Sequence, residues 1–357
     1  MSHPSPCSAD TVGPVFVIRQ AIPDDVQTLL KLARMVHFIN LPADPDIIAA
    51  KVARSRRSFA GEAPDERERQ FMFVLEDTQT GGVIGTSSLI CRMGWPGWPH
   101  ISLKVRRREH FSRDLNTGAM HTTIQVSTDE SGPSELGGLI LAPGYRGHRE
   151  KLGSLLSLVR FHFLGMHREH FQPHIIAELM GPLTPDSNTL FWEFFGRRFI
   201  NLSYSEADAF CQHSKEFMLS LLPREEIYLS TLPAEARNLV GKVGEETKPA
   251  KAMLEKQGFT YRDRCDPFDG GPYLEAEVDR IPLVQATRRM ALAPGEPAAG
   301  AATAFVSCAA DRALGFRAVR SACSVDGDAV RLPRDAAAAL GARPGDPVGV
   351  TALAAER

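Results

Sequence analysis

The stretch that decides the fold is SELGGLILAPGYRGHREKLGS, residues 134–154. Its apolar run ends at Pro143-Gly144, which predicts a buried strand, and apolar residues recur at helical spacing from Leu152 onward. The turn between them is rich in arginine and glycine. Backbone N–H groups and the dipole at a helix start favour anions, and glycine allows close approach. The stretch therefore predicts a strand, a turn and a helix start suited to a diphosphate, although many such turns only reverse the chain.

Upstream of this stretch, residues 15–19 are β-prone, and helical spacing begins at Pro23 and again after Pro45. Two apolar runs, 71–75 and 83–90, flank a polar glycine turn and predict a β-hairpin.

Residues 91–129 show a less regular pattern. The basic run within them, residues 104–108, predicts a solvated strand face rather than a nucleic-acid site, because no second basic patch accompanies it.

Downstream, the composition shifts to alanine, glycine and proline near residue 290. We expect three parts: a disordered leader (1–14), a main domain (15–289) and a small C-terminal β subdomain (290–357). A strand, short helix, turn and strand pattern near the end also occurs in small barrels that bind DNA. Nine arginines against seven acidic residues in 286–357 give too little positive excess for that role.

The whole chain has 357 residues, 43% of them hydrophobic, and its 41 Lys+Arg nearly balance its 43 Asp+Glu. This charge predicts neither a nucleic-acid nor a membrane partner. The six cysteines are scattered without a C-x-x-C pair, so we expect no disulfide framework and a reducing, cytoplasmic location.

Four histidines, at 162, 167, 170 and 174, suggest a metal cluster at first sight. Pro173 interrupts the helix that would align them, and partners at ligand spacing are absent, so we predict no metal site.

The string L-x-L-x-P-x-Y-R-G at residues 139–147 resembles the acetyl-CoA-binding motif of the GCN5-related N-acyltransferases. In that family the strand binds the pantetheine arm and the turn holds the pyrophosphate. The family turn continues R-G-x-G-x-G/A, whereas here five residues separate Gly147 from Gly153, so the turn is lengthened. The resemblance implies an α+β acyl-CoA N-acyltransferase fold, with the C-terminal all-β subdomain as an addition.

Further strings, in one common order from about residue 17 to 284, resemble one branch of this superfamily, the arginine N-succinyltransferases. The strings are Phe73-Val74-Leu75-Glu76-Asp77, Ser134-Glu135-Leu136, Phe191-Trp192, Gly196-Arg197-Arg198-Phe199, Ala207-Asp208, Leu222-Pro223, Ile227-Tyr228, Pro249-Ala250, Leu254-Glu255-Lys256-Gln257-Gly258-Phe259 and Phe268-Asp269-Gly270-Gly271-Pro272.

This resemblance implies transfer of succinyl from succinyl-CoA, a co-substrate, to the α-amine of arginine. It implies no permanently bound cofactor, and we expect a homo- or hetero-oligomer. The expected acyl-CoA-binding residues are Leu139, Leu141, Arg146, Gly147, Gly153 and Ser154.

The family's proton donor is a histidine in a G-x-V-H string, which here is Gly241-Lys242-Val243-Gly244. Glycine cannot donate a proton, so Glu245, Glu246 or His213 becomes the candidate catalytic residue. Alternatively, the glutamates only stabilise a helix start.

Two further departures affect the acceptor. Residues 36–40 replace a glycine-rich string, and Met180 replaces an arginine in the family's Glu-x-Arg-Gly string. Methionine does not reproduce the bidentate grip of arginine on a carboxylate. Three hypotheses follow: an arginine N-succinyltransferase, a CoA-dependent N-acyltransferase for another amine, and a catalytically weak subunit of a competent partner.

Overall fold

The computed structural model describes residues 15–35, 41–310 and 314–353. The predicted leader and the replaced string at 36–40 lie outside these residues. The strands are β1 (Phe16–Gln20), β2 (Gln70–Asp77), β3 (Gly82–Ile90), β4 (His100–Ser112), β5 (Thr117–Asp129), β6 (Ser134–Leu141), β7 (His174–Glu178), β8 (Ile227–Tyr228), β9 (Thr260–Cys265), β10 (Pro272–Glu277), β11 (Thr287–Leu292), β12 (Ala302–Cys308), β13 (Arg317–Asp326), β14 (Ala329–Arg331) and β15 (Pro347–Ala352).

The α-helices are α1 (Val26–Met35), α2 (Pro45–Phe59), α3 (Leu152–Met166), α4 (Leu190–Phe194), α5 (Gly196–Phe199), α6 (Tyr204–Cys211), α7 (Glu216–Leu221), α8 (Ala234–Arg237), α9 (Lys248–Lys256), α10 (Pro282–Gln285) and α11 (Arg334–Leu340). Within the described ranges, none of these helices is long and apolar enough to cross a membrane.

The sheet of the main domain runs in the order β1-β2-β3-β6-β7-β10-β9-β4-β5-β8. Along β2, Phe71 and Phe73 pack in an apolar cluster with α3, whereas Met72 and Val74 pack with α1 and α2. Because successive side chains on a strand point to opposite faces, α3 covers one face of the sheet and α1 and α2 cover the other. The predicted hairpin is confirmed, since β2 and β3 pair antiparallel.

The expectation of an irregular segment at 91–129 is wrong for most of its length. Strands β4 and β5 pair over thirteen residues each and form the longest hairpin of the described chain. Charged side chains had concealed the strand pattern, because β4 is exposed over its second half and needs no apolar alternation there. The basic run does lie on a strand, where Arg106 and Arg108 pair with Glu226.

The C-terminal strands form a small closed barrel in the order β12-β15-β11-β14-β13, which β12 and β13 close. Helix α11, at the place where the sequence predicts a short helix, packs Ala336 and Leu340 into the barrel core. The barrel joins the main sheet through β13, which pairs with β1. Strand β11 spans the predicted boundary at 289/290, and the division into domains stays a prediction.

One buried histidine ties α3 to the barrel. His162 is fully buried, and its Nδ1 and Nε2 lie 2.6 Å from Thr351 Oγ1 and 2.7 Å from Ser307 Oγ. Thr351 belongs to β15 and Ser307 to β12, so His162 links α3 to the C-terminal barrel.

Candidate active site

A cleft opens where two neighbouring parallel strands part. In the described chain, β6 and β7 pair only through Ser134–Ile175 and Glu135–Ile176, and beyond these residues they diverge. The cleft has a volume of about 380 Å³, within the range of roughly 300–1,000 Å³ that is typical of small-molecule sites. Its lining is mainly apolar and comes from β6, α3, the end of β7 and the start of α9.

Most of the predicted acyl-CoA-binding residues line this cleft. They are Leu139, Leu141, Arg146, Gly147 and Gly153. Ser154 is not among the lining residues, although it lies in the first turn of α3 directly after Gly153.

A bulge in β6 shapes the wall of the cleft. Between the pairs Thr86–Ile140 and Ser88–Gly137, one residue of β3 opposes two of β6. Gly138 has a φ of +58°, and a Cβ there would lie 3.0 Å from Ser88 Oγ. Such bulges interrupt the ladder and redirect the strand, which leaves backbone available to a ligand.

The lengthened turn before α3 is held by contacts from two directions. Tyr145 donates its hydroxyl to Asp77 at 3.0 Å, and Arg320 of the barrel contacts both the carbonyl and the carboxylate of Glu150 at 2.7 Å. Lys151 precedes the helix with a φ of +46°. The extra residues therefore form a braced turn at the N-terminus of a 15-residue helix, where anions are favoured.

A second cavity adjoins the cleft and shares Glu178 with it. Its carboxylates come from β6, β7, α6 and the turn after β9, and they are Glu135, Glu178, Asp208 and Asp266. Its cations come from other elements, mainly α2 and the segment leading into β2. They are Lys51, Arg54, Arg67, Arg69, Arg92 and Lys215. The cavity thus carries groups of both signs, contributed by different walls.

A histidine–glutamate pair lies where the two cavities meet. Nε2 of His100 is 2.6 Å from Oε1 of Glu178, and Nδ1 of His100 is buried without a hydrogen-bond partner among the described residues. Burial works against ionisation of Glu178, but the hydrogen bond and charge of His100 hold its pKa below the ordinary value. When the imidazole of His100 is neutral, an ionised Glu178 accepts its Nε2 proton and the lone pair lies on Nδ1, as a general base requires.

Asp208 and Asp266 are hard to ionise when the cavity is empty. Burial, and then the neighbouring charge of Asp266, raise the pKa of Asp208 to about 7. Its Oδ1 is buried without a hydrogen-bond partner in the described chain. Asp266 accepts the Tyr273 hydroxyl at 3.0 Å, and burial also raises its pKa. A cationic group entering here would satisfy both carboxylates.

The proposed replacements for the family histidine occupy different places. Glu246 lines the cleft and pairs with Arg146 at 3.0 Å. Glu245 is 84% exposed and pairs with Lys248, and both glutamates start the helical segment before α9. His213 is exposed and lines neither cavity, although its neighbours Cys211 and Gln212 line the second one.

The two departures from the family pattern lie against each other. Gly244 donates its N–H to the carbonyl of Met180 at 3.0 Å, and a Cβ on Gly244 would lie 3.1 Å from Gly181 O. Met180 itself lines the cleft. The missing histidine and the missing arginine therefore concern one location, just past the end of β7.

Away from both cavities, His167, Glu169 and His170 bring their ligand atoms within 4.8 Å of one another. His174 belongs to β7 and is not in this group. The prediction that the chain holds no metal stays a prediction.

Sequence reasoning missed His100, Lys51 and Asp266 as site residues. His100 lies in the segment whose strand went unrecognised, and nothing in the local sequence distinguishes Asp266 from a turn residue. Asp208 and Glu178 each stood in a string already compared with the family, which was the available signal.

Comparisons with known proteins show the family and the fold of the chain. Residues 16–283 match the family model described as arginine N-succinyltransferase beta subunit. An arginine N-succinyltransferase of Escherichia coli is 34% identical over 347 residues, which cover 96% of this chain and 99% of the relative. One from Shigella dysenteriae is 36% identical over 289 residues, 80% of this chain and 83% of the relative.

Among solved structures, arginine/ornithine succinyltransferase subunit AI from Pseudomonas aeruginosa superposes with a TM-score of 0.80 at 27% identity. The match covers 96% of this chain and 100% of that one, and it confirms the predicted fold. With the family model spanning most of the chain and relatives matching nearly end to end, the chain belongs to the arginine N-succinyltransferase family of acyltransferases.

Proposed function

We propose that this protein transfers the succinyl group of succinyl-CoA to the α-amine of L-arginine. The observation that carries the proposal is the cavity with charges of both signs, which shares Glu178 with the acyl-CoA cleft. An amine bound in that cavity meets a thioester bound in the cleft at the position of Glu178.

The charges of the cavity suit an amino acid with a cationic side chain. Asp208 and Asp266 supply a buried acidic region for a guanidinium, which forms paired hydrogen bonds with carboxylates. The cations from α2 and from the segment before β2 suit the α-carboxylate. An amino acid with an uncharged side chain would leave both carboxyl groups protonated and would form none of these charge-assisted hydrogen bonds.

The reaction then needs no covalent enzyme intermediate. Nδ1 of His100 takes a proton from the α-ammonium, and Glu178 stabilises the imidazolium. The free amine attacks the thioester carbonyl, an N–C bond forms, and the C–S bond breaks. As it becomes an amide, the nitrogen loses a second proton, and the departing CoA thiolate takes one; Glu246 in the cleft remains the residue proposed to pass this proton to the thiolate.

The test is release of free CoA thiol by the purified protein with succinyl-CoA and, in parallel, arginine, ornithine or no acceptor, with the product identified by mass. Arginine-dependent release of one thiol per succinylated arginine supports the proposal. Thiol release with ornithine but not with arginine refutes arginine as the acceptor and indicates an amino acid with a shorter cationic side chain. No release from a protein that binds succinyl-CoA by calorimetry refutes the proposed activity.

We also propose that the protein acts as an oligomer in the cytoplasm. The matching family model and the Pseudomonas aeruginosa protein are both described as subunits, and the tip of the β4–β5 hairpin exposes Phe111, Leu115 and Met120. Light scattering after size-exclusion chromatography tests the assembly, and a monomeric mass at assay concentration contradicts it.

A further inference from the structure

Arg160 of α3 is a buried cation that the reaction described so far does not use. Only 3% of the residue is exposed, and it lines the cleft between β6 and β7. Nε donates to Ser157 O at 3.0 Å, Nη2 donates to Ser157 Oγ at 2.9 Å, and Nη1 donates to Gly137 O at 3.4 Å. All these acceptors are uncharged.

Its charge has no carboxylate counter-ion within 4 Å in the part of the chain that the structure describes. The other arginine of the cleft, Arg146, pairs with Glu246, whereas burial is the sole influence on Arg160 and lowers its pKa to about 9. Burying a guanidinium without a carboxylate is costly, and buried charges in proteins are ordinarily paired. A carboxylate supplied by a ligand would remove that cost.

The position of Arg160 indicates which part of a ligand it would meet. Gly137, its contact on β6, directly precedes the bulge at Gly138. Ala177 and Glu178 complete this end of the cleft, and Glu178 is also where the acceptor cavity begins. The reacting acyl group lies at this end, because the acceptor amine must reach its carbonyl. The pyrophosphate end is at the N-terminus of α3, two turns away along the helix.

We propose that Arg160 binds the free carboxylate of a dicarboxylic acyl group and so selects succinyl-CoA over neutral acyl-CoA donors. This inference rests on the proposed function for the identity of the donor. A guanidinium has five N–H donors in a planar fork. The three bonds to Ser157 and Gly137 fix the side chain and leave further N–H groups for a carboxylate.

The test compares two donors of equal length. Butyryl-CoA has a methyl group where succinyl-CoA has its carboxylate. We expect Arg160→Met to lower kcat/KM for succinyl-CoA at least about 30-fold, because removing one partner of a buried charge pair costs roughly 2–5 kcal/mol. With butyryl-CoA, kcat/KM should change less than about threefold, since no carboxylate loses a partner. Arg160→Lys should retain part of the preference for succinyl-CoA, because the lysine ammonium keeps the positive charge but lacks the planar N–H fork of the guanidinium.

Arg280→Met is the matched control, because Arg280 is 79% exposed and lines neither cavity. Folding is checked by thermal melting and by calorimetric binding of free CoA, which carries no acyl group. If Arg160→Met does not fold, Arg160→Gln replaces it, since its amide can still donate to Ser157 O. An equal loss with both donors, or an unchanged donor preference in a folded variant, overturns the inference and leaves Arg160 a structural residue.

The failure of this inference is distinguishable from failure of the proposed function. Calorimetry with succinyl-CoA and with butyryl-CoA needs no acceptor. A wild-type protein that prefers succinyl-CoA through Arg160, yet does not acylate arginine, supports this inference and refutes the arginine assignment.

Discussion

Replacing Glu178 by glutamine tests the acid–base pair between the two cavities. In the wild-type protein the carboxylate lies 2.6 Å from Nε2 of His100, and His100 lines the second cavity. A glutamine of nearly the same size is neutral and no longer stabilises the imidazolium. Its N–H also favours the tautomer that carries the proton on Nδ1, which cannot accept another.

The expected fall in kcat follows from the usual contribution of a positioned general base. A positioned general base contributes roughly 10²–10⁴ in rate, or about 2.7–5.4 kcal/mol at 1.36 kcal/mol per factor of ten. Because the imidazole itself remains, we expect the lower end, a fall in kcat of about 100-fold at pH 7. We expect the loss mainly in kcat, because Glu178 acts through His100; the KM for succinyl-CoA is measured alongside, since Glu178 also lines the acyl end of the cleft.

The pH dependence gives the sharper readout. Without a base, the rate of the variant follows the fraction of free amine and rises about tenfold per pH unit. The ratio of wild-type kcat to variant kcat should therefore fall between pH 7 and 9. The assay is CoA thiol release with arginine at each pH. Glu193→Gln is the control, because Glu193 pairs with Arg197 and lines neither cavity. A kcat within about fivefold of wild type at pH 7, with the same pH profile, refutes the assignment of a base.

Three further predictions follow. Asp208→Asn should raise the KM for arginine about 30-fold or more, because it removes one carboxylate from the guanidinium, and the KM for succinyl-CoA should be unaffected. A KM for arginine within about threefold of wild type excludes that contact. Asp279→Asn is the control. Gly244→His should raise kcat, because it restores the histidine that the family has at this position. The φ of −61° suits an L-residue, and the new Cβ would lie beside Gly181, just past the end of β7. A folded variant whose steady-state kcat is not raised contradicts this. Burial lowers the pKa of His162 to about 3, so His162 stays neutral in the folded state, whereas the unfolded state binds a proton below about pH 6.5. Urea titrations should therefore show that the free energy of unfolding falls by about 2 kcal/mol between pH 7 and 5 through this residue. The free energy of unfolding of His162→Asn should fall less over that range, and an equal fall contradicts the assignment.

The local elements of the cofactor side were predictable because their signals lie within about twenty residues. The strand, turn and helix start at 134–154 appear as β6, a braced turn and α3, which begins at Leu152 as expected. The β2–β3 hairpin followed from two apolar runs and a glycine turn. In contrast, the β4–β5 hairpin was missed, because exposed charged strands carry no apolar alternation.

The sequence by itself determined the family, the fold class and the strand, turn and helix start at 134–154, since these rest on local periodicity and on the order of short strings. Only the tertiary structure decided which side chains share a cavity. His100 and Glu178 are 78 residues apart in the chain, and Arg320 reaches Glu150 across 170. Side-chain proximity in a mixed sheet depends on strand order and register, which bring residues distant in sequence to neighbouring strand ends. The same ordering places the buried charge of Arg160 in the cleft where β6 and β7 separate.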